Sequence, residues 1–64
     1  MTPIVTYDPE VDAAHIRFST GRVRESEEVT PGIVLDYDEN GRIVGMEVLE
    51  ATRHLPNDVL TQAA

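Results

Sequence analysis

The chain contains no cysteine, and its five basic residues are all arginines. The missing cysteines exclude disulfides and thiolate metal sites. No apolar run approaches the roughly 18 residues of a membrane span, so no membrane partner is expected. The opening residues lack a basic segment followed by an apolar run, so no secretory signal is expected and a cytoplasmic location is the simplest one. Glycine is scarce and scattered, with no glycine-rich phosphate loop. Twelve acidic residues face the five arginines, for a net charge of -7. Such a surface repels phosphate backbones, so nucleic acid is not an expected partner.

With 64 residues the chain is read as one small β-rich domain, residues 1–64. A domain of this size buries only roughly 60% of the surface its unfolded chain exposes. Small domains are held by disulfides, a metal or association. With disulfides excluded, a homo-oligomer is expected, most simply a dimer.

What is present points to β structure. Residues 32–49 form two β-rich segments around Asn40-Gly41, a strong hairpin signal. A two-residue turn pairs Tyr37 with Val44, Asp36 with Gly45, Leu35 with Met46, Val34 with Glu47 and Ile33 with Val48. Residues opposite each other share a face. One face then reads Ile33, Leu35, Tyr37, Val44, Met46 and Val48. The other reads Val34, Asp36, Asp38, Ile43, Gly45 and Glu47. A four-residue loop keeps this division, whereas a three-residue loop scrambles it. Gly45 inside the second segment signals a bulge or a close backbone approach.

Residues 4–7 read as a first strand and residues 13–18 as a second, around a turn opened by Asp8-Pro9. Closing Asp8 on Ala13 pairs Tyr7 with Ala14 and Val5 with Ile16. Residues 22–29 fit a charged edge strand or an exposed loop. Residues 50–55 are helical in character and end at Pro56, and Asn57 suits the N-cap of a last short turn carrying Val59 and Leu60. The expected fold class is α+β, mainly β: an antiparallel meander of four to five strands with a short C-terminal helix.

The run Tyr7-Asp8-Pro9-Glu10-Val11-Asp12-Ala13, followed by Ile16-Arg17-Phe18-Ser19, resembles the opening of the family called domain of unknown function 2283. Ser26-Glu27-Glu28-Val29 and residues 36–49 resemble its second half. The resemblance covers roughly residues 4–55 in order. It implies a small bacterial protein and brings no established activity or catalytic residues. His15 departs from the tyrosine or other bulky residue usual there in that family.

Asp8, Glu10 and Asp12 alternate as calcium-loop ligands do, and His15 lies nearby. The calcium-loop pattern fails at its sixth position, Ala13, and at its twelfth, Ser19. These four residues are the weak metal candidates. In the competing reading Asp8 and Asp12 cap backbone amides of a turn, and no metal or cofactor is expected. Ser19, Ser26, His15 and His54 fall in no nucleophile signature. Asp36 and Glu47 are the carboxylates that the hairpin places near each other, with Arg17 or Arg24 as their expected partners if buried. The chain is therefore expected not to be an enzyme.

Two functions are consistent with these observations. The first is a homo-oligomeric structural or protein-interaction module, with Val34 and Ile43 on a second buried face. The second is an antitoxin-like acidic binder of a basic protein, using Glu25, Glu27, Glu28 and Tyr37 on an acidic stripe.

Overall fold

The computed structural model describes residues 3–63. Five strands, β1 (Ile4–Asp8), β2 (Ala13–Arg17), β3 (Glu25–Thr30), β4 (Ile33–Tyr37) and β5 (Ile43–Leu49), are followed by two short helices, α1 (Ala51–His54) and α2 (Asn57–Thr61). The strands form one antiparallel sheet in the order β1-β2-β5-β4-β3. The α+β, mainly β class and the five strands agree with the sequence pattern. The order departs from a simple meander, because β2 pairs with β5 and not with β3.

Charge explains that order. A plain meander would make β3 the central strand. β3 carries Glu25, Glu27 and Glu28 among six residues, all of them exposed. Burying three carboxylates in mid-sheet is prohibitive, whereas at an edge they stay solvated and discourage stray pairing. β5, with one carboxylate among seven residues, takes the centre instead. Residues 18–24 carry the chain across the end of the sheet. Phe18 N–H and Ser19 N–H donate to Val44 O, and Arg24 N–H donates to Tyr37 O.

The β1–β2 hairpin has the expected register, including Tyr7 opposite Ala14 and Val5 opposite Ile16. The β4–β5 hairpin has the expected pairs from Ile33–Val48 to Asp36–Gly45. Its turn differs from the two- and four-residue loops favoured above. Asp38 N–H donates to Arg42 O, so Glu39, Asn40 and Gly41 form a three-residue loop, with Gly41 at a φ of 76°. That loop alone would flip every side chain of β5. A bulge restores the faces: Tyr37 pairs with Ile43, Asp36 with Gly45, and Val44 is the extra residue. Ile43 consequently shares a face with Tyr37, not with Val34.

The register gives the sheet two unlike faces. Val5, Tyr7, Ala14, Ile16, Met46, Val48, Ile33 and Leu35 lie on one. Ala14, Val48, Ala51 and Leu60 form the buried core there, with Tyr7, Ile33, Met46 and Leu55 packed on it. Both helices thus cover the end of the sheet near Val48, and α2 contacts β1. Pro56 takes the N-cap position of α2, so Asn57 lies inside the helix and makes no capping bond. Among the described residues no helix is long and apolar enough to cross a membrane.

Candidate functional site

The face opposite the helices holds a polar network around one buried carboxylate. On it lie His15 and Arg17 of β2, Gly45 and Glu47 of β5, Val34 and Asp36 of β4, and Ser26 and Glu28 of β3. Asp36 is only 4% exposed. Ser26 Oγ donates to Asp36 Oδ1 at 2.7 Å, and His15 Nε2 lies 3.3 Å from Asp36 Oδ2. Two different strands thus satisfy one buried carboxylate. Gly45 makes the meeting possible. A Cβ there would lie 3.1 Å from Ile16 O, 3.3 Å from Asp36 Oδ2 and 3.5 Å from His15 Nε2. Among the described residues no buried side-chain nitrogen or oxygen lacks a partner.

The residue types suggest a hydrolytic triad, but the connectivity does not match one. In such a triad the imidazole takes the serine proton while the carboxylate orients the imidazole. Here serine and histidine both address the same carboxylate, and the serine proton points at Asp36. The network joins β2, β4 and β3 across β5. Neither expected arginine partners Asp36: the Arg17 guanidinium donates to Gly21 O at 2.9 Å. Glu47 is exposed on β5, so the two carboxylates do not share a buried cleft.

The proposed metal ligands are drawn to separate tasks. Asp8 Oδ1 accepts the Glu10 N–H at 3.0 Å, closing the turn at residues 9–12. Asp12, at a φ of 53°, turns toward α1. Its Oδ1 accepts Tyr7 O–H at 2.8 Å and Thr52 N–H at 3.1 Å, and its Oδ2 accepts Thr52 Oγ1–H at 2.7 Å. Its main-chain carbonyl accepts Ala51 N–H. Asp12 therefore caps a helix forty residues later in the chain. The Thr52 hydroxyl, above all, and then the Tyr7 hydroxyl hold the Asp12 carboxyl below its usual range. The same bond, with partial desolvation and the nearby charges of Asp12 and Asp8, raises the Tyr7 hydroxyl. His15 is engaged with Asp36. Among the described residues no group of three or more such side chains is placed to hold a metal ion.

The acidic residues divide by strand alternation. Glu25 pairs with Tyr37 and Glu27 with Leu35, on the helix-bearing face. Glu28 pairs with Val34 on the other. Glu25, Glu27, Asp38 and Glu39 line a shallow concavity with Tyr37 and Arg24. Three of the four interaction residues expected on the stripe, Glu25, Glu27 and Tyr37, are thus brought together, and Glu28 is not. Val34 is half-buried beside the polar network, while Ile43 is 48% exposed on the opposite side. The bulge at Val44 breaks the shared face expected for Val34 and Ile43. His54 is exposed, and its Nδ1–H donates to Leu49 O at 3.0 Å.

A family model described as a protein of unknown function (DUF2283) matches residues 4–51. The chain belongs to the DUF2283 family. No curated protein and no solved structure matches it. The DUF2283 segment takes in all five strands, Ser26, Asp36, His15, Gly45 and Asp12, and ends on Ala51 at the start of α1. Leu60, which completes the core from α2, lies beyond it. Sequence reasoning missed the Ser26–Asp36–His15 network, because Ser26 meets Asp36 only once β3 is placed beside β4, and His15 reaches it only across β5. The isolated Gly45 was the available signal.

Proposed function

We propose that this chain is a homo-oligomeric structural and protein-interaction module of the bacterial cytoplasm, most simply a dimer, that performs no catalysis. The supporting observation is the size of its core. Val48 is the one large side chain that is fully buried among the described residues, while Ile4, Val11, Phe18, Val29, Ile43 and Leu49 are exposed. Val5, Ile16 and Leu35, in the row beside the core, are only half-buried. Two short helices cover part of one face, and no disulfide supplements them. Association with a further surface supplies the missing burial. Size-exclusion chromatography with light scattering should give a multiple of the 7.1 kDa chain mass, and the melting temperature should rise with protein concentration. A monomer whose melting temperature is independent of concentration overturns the proposal.

The concavity formed by Glu25, Glu27, Tyr37, Asp38 and Glu39 favours a second reading, an antitoxin-like binder of a basic protein. Clustered carboxylates around an aromatic ring steer and seat a cationic partner. A monomer that loses a co-purifying basic partner when Glu25 and Glu27 become Gln supports this reading over the first.

A further inference from the structure

We infer that β1 is the edge through which two copies of this chain associate, the strands running antiparallel about a two-fold axis at Thr6. This rests on the homo-oligomer proposal and specifies its surface. The sheet has two open edges, β1 and β3. Each presents alternate N–H and C=O groups with no neighbouring strand among the described residues. The two edges are built differently. β3 carries Glu25, Glu27 and Glu28 and has a register shift between Glu28 and Thr30. Pairing β3 with itself would set like charges against each other beside an irregular ladder. β1 runs Ile4-Val5-Thr6-Tyr7 without a charge, and its pairing with β2 is regular through all five residues. In a chain of net charge -7, a second copy is repelled from most of the surface and least from such a segment.

The register follows from the prolines. Pro3 and Pro9 have no N–H to donate and lie three residues to either side of Thr6. They limit the pairable segment to residues 4–8, and antiparallel pairing of that segment with itself places Thr6 opposite Thr6 of its copy. Val5 then faces Tyr7, and Ile4, 57% exposed in the single chain, gains Asp8 of the copy as its neighbour. Val5 and Tyr7 belong to the helix-bearing face, so the two apolar faces become continuous across ten strands. The two Asp8 carboxylates end four residues apart along the ladder, about 14 Å. That exceeds the screening length of about 8 Å at physiological salt.

The test uses the position that faces its own copy. Thr6 is exposed, so a charge there is compatible with the single-chain fold. Thr6→Lys and Thr6→Glu should each run at half the wild-type mass by light scattering, and an equimolar mixture of the two should recover the wild-type mass. Glu27→Lys, on the other edge, should leave the mass unchanged. A wild-type monomer overturns the oligomer proposal and this inference together. A wild-type dimer that survives both Thr6 variants overturns the β1 pairing alone, and variants that stay monomeric when mixed overturn the Thr6 register. Should circular dichroism find either variant unfolded, Thr6→Cys supplies the chain's one thiol. Oxidation should then link Thr6→Cys chains in pairs and leave Glu27→Cys single; the opposite pattern rejects the inference.

Discussion

The two faces of the sheet are held by different physics. On the helix-bearing face, Ala14, Val48, Ala51 and Leu60 are buried against one another, and their contacts carry no directional requirement. On the other face, Asp36 is buried only because Ser26 and His15 reach its two oxygens and Gly45 leaves the space between them. An apolar residue on the first face can be exchanged for another of similar volume at modest cost. A residue of the network cannot, since removing one partner strands the others. The first face thus tolerates variation in kind and the second tolerates almost none in geometry.

The comparison can be broken at its strongest point first. Val48→Asp puts an unpartnered charge at a position with 0% exposure. The expected cost is about 4 kcal/mol or more, against a total stability of about 3–10 kcal/mol for a domain of this length. The far-ultraviolet circular dichroism of the folded chain should be lost at room temperature. A cooperative melt near the wild-type temperature would show that the helix-bearing face is not the main source of stability.

A smaller effect sharpens the comparison on the polar face. Gly45→Ala drives a methyl group to within 3.1 Å of Ile16 O and 3.3 Å of Asp36 Oδ2. The cost should be about 1–3 kcal/mol in urea unfolding, and Ser26→Ala should cost about 1 kcal/mol. The double variant should lose less than the sum, because both changes disrupt the same carboxylate. Strict additivity would mean that the network does not act as a unit.

The smallest effect concerns the link between the β1–β2 turn and α1. Asp12 is held below its ordinary value by Thr52 and Tyr7. Its stabilisation is therefore fully present above the ordinary Asp value of about 3.9 and is lost as the pH falls through the lower value of the folded chain. Tyr7 is raised, so its contribution is present below the ordinary value of about 10 and fades as the pH rises through the folded one. Asp12→Asn should lower the melting temperature at pH 7 and lower it by less at pH 2. An equal deficit at both pH values would assign the loss to packing and not to the charged cap.

Much of this architecture was legible in the chain. Alternation along residues 13–17 and 33–37 placed Ala14, Ile16, Ile33 and Leu35 on one face, because a strand's side-chain period is two. Asp8-Pro9 and Asn40-Gly41 marked the two turns. Gly45 signalled a bulge or a close approach, but the extra residue at Val44 and the three-residue loop were not legible, since the two offset each other and leave the outer pairs where a shorter turn would put them. The cap on α1 was hidden for a similar reason. Asp12 and Thr52 are forty residues apart, and no local pattern signals a bond between them.

The sequence by itself determined β1, β2, β4 and β5, their two hairpins and the apolar face, because each rests on neighbours along the chain or directly across a turn, and it left residues 22–29 open between an edge strand and a loop. The strand order, the Ser26–Asp36–His15 network and the capping of α1 by Asp12 were decided only by the tertiary structure. Each depends on which strand or helix lies beside which. That choice is made by placing β5, with its single carboxylate Glu47, at the centre and leaving the three carboxylates of β3 in water at the edge.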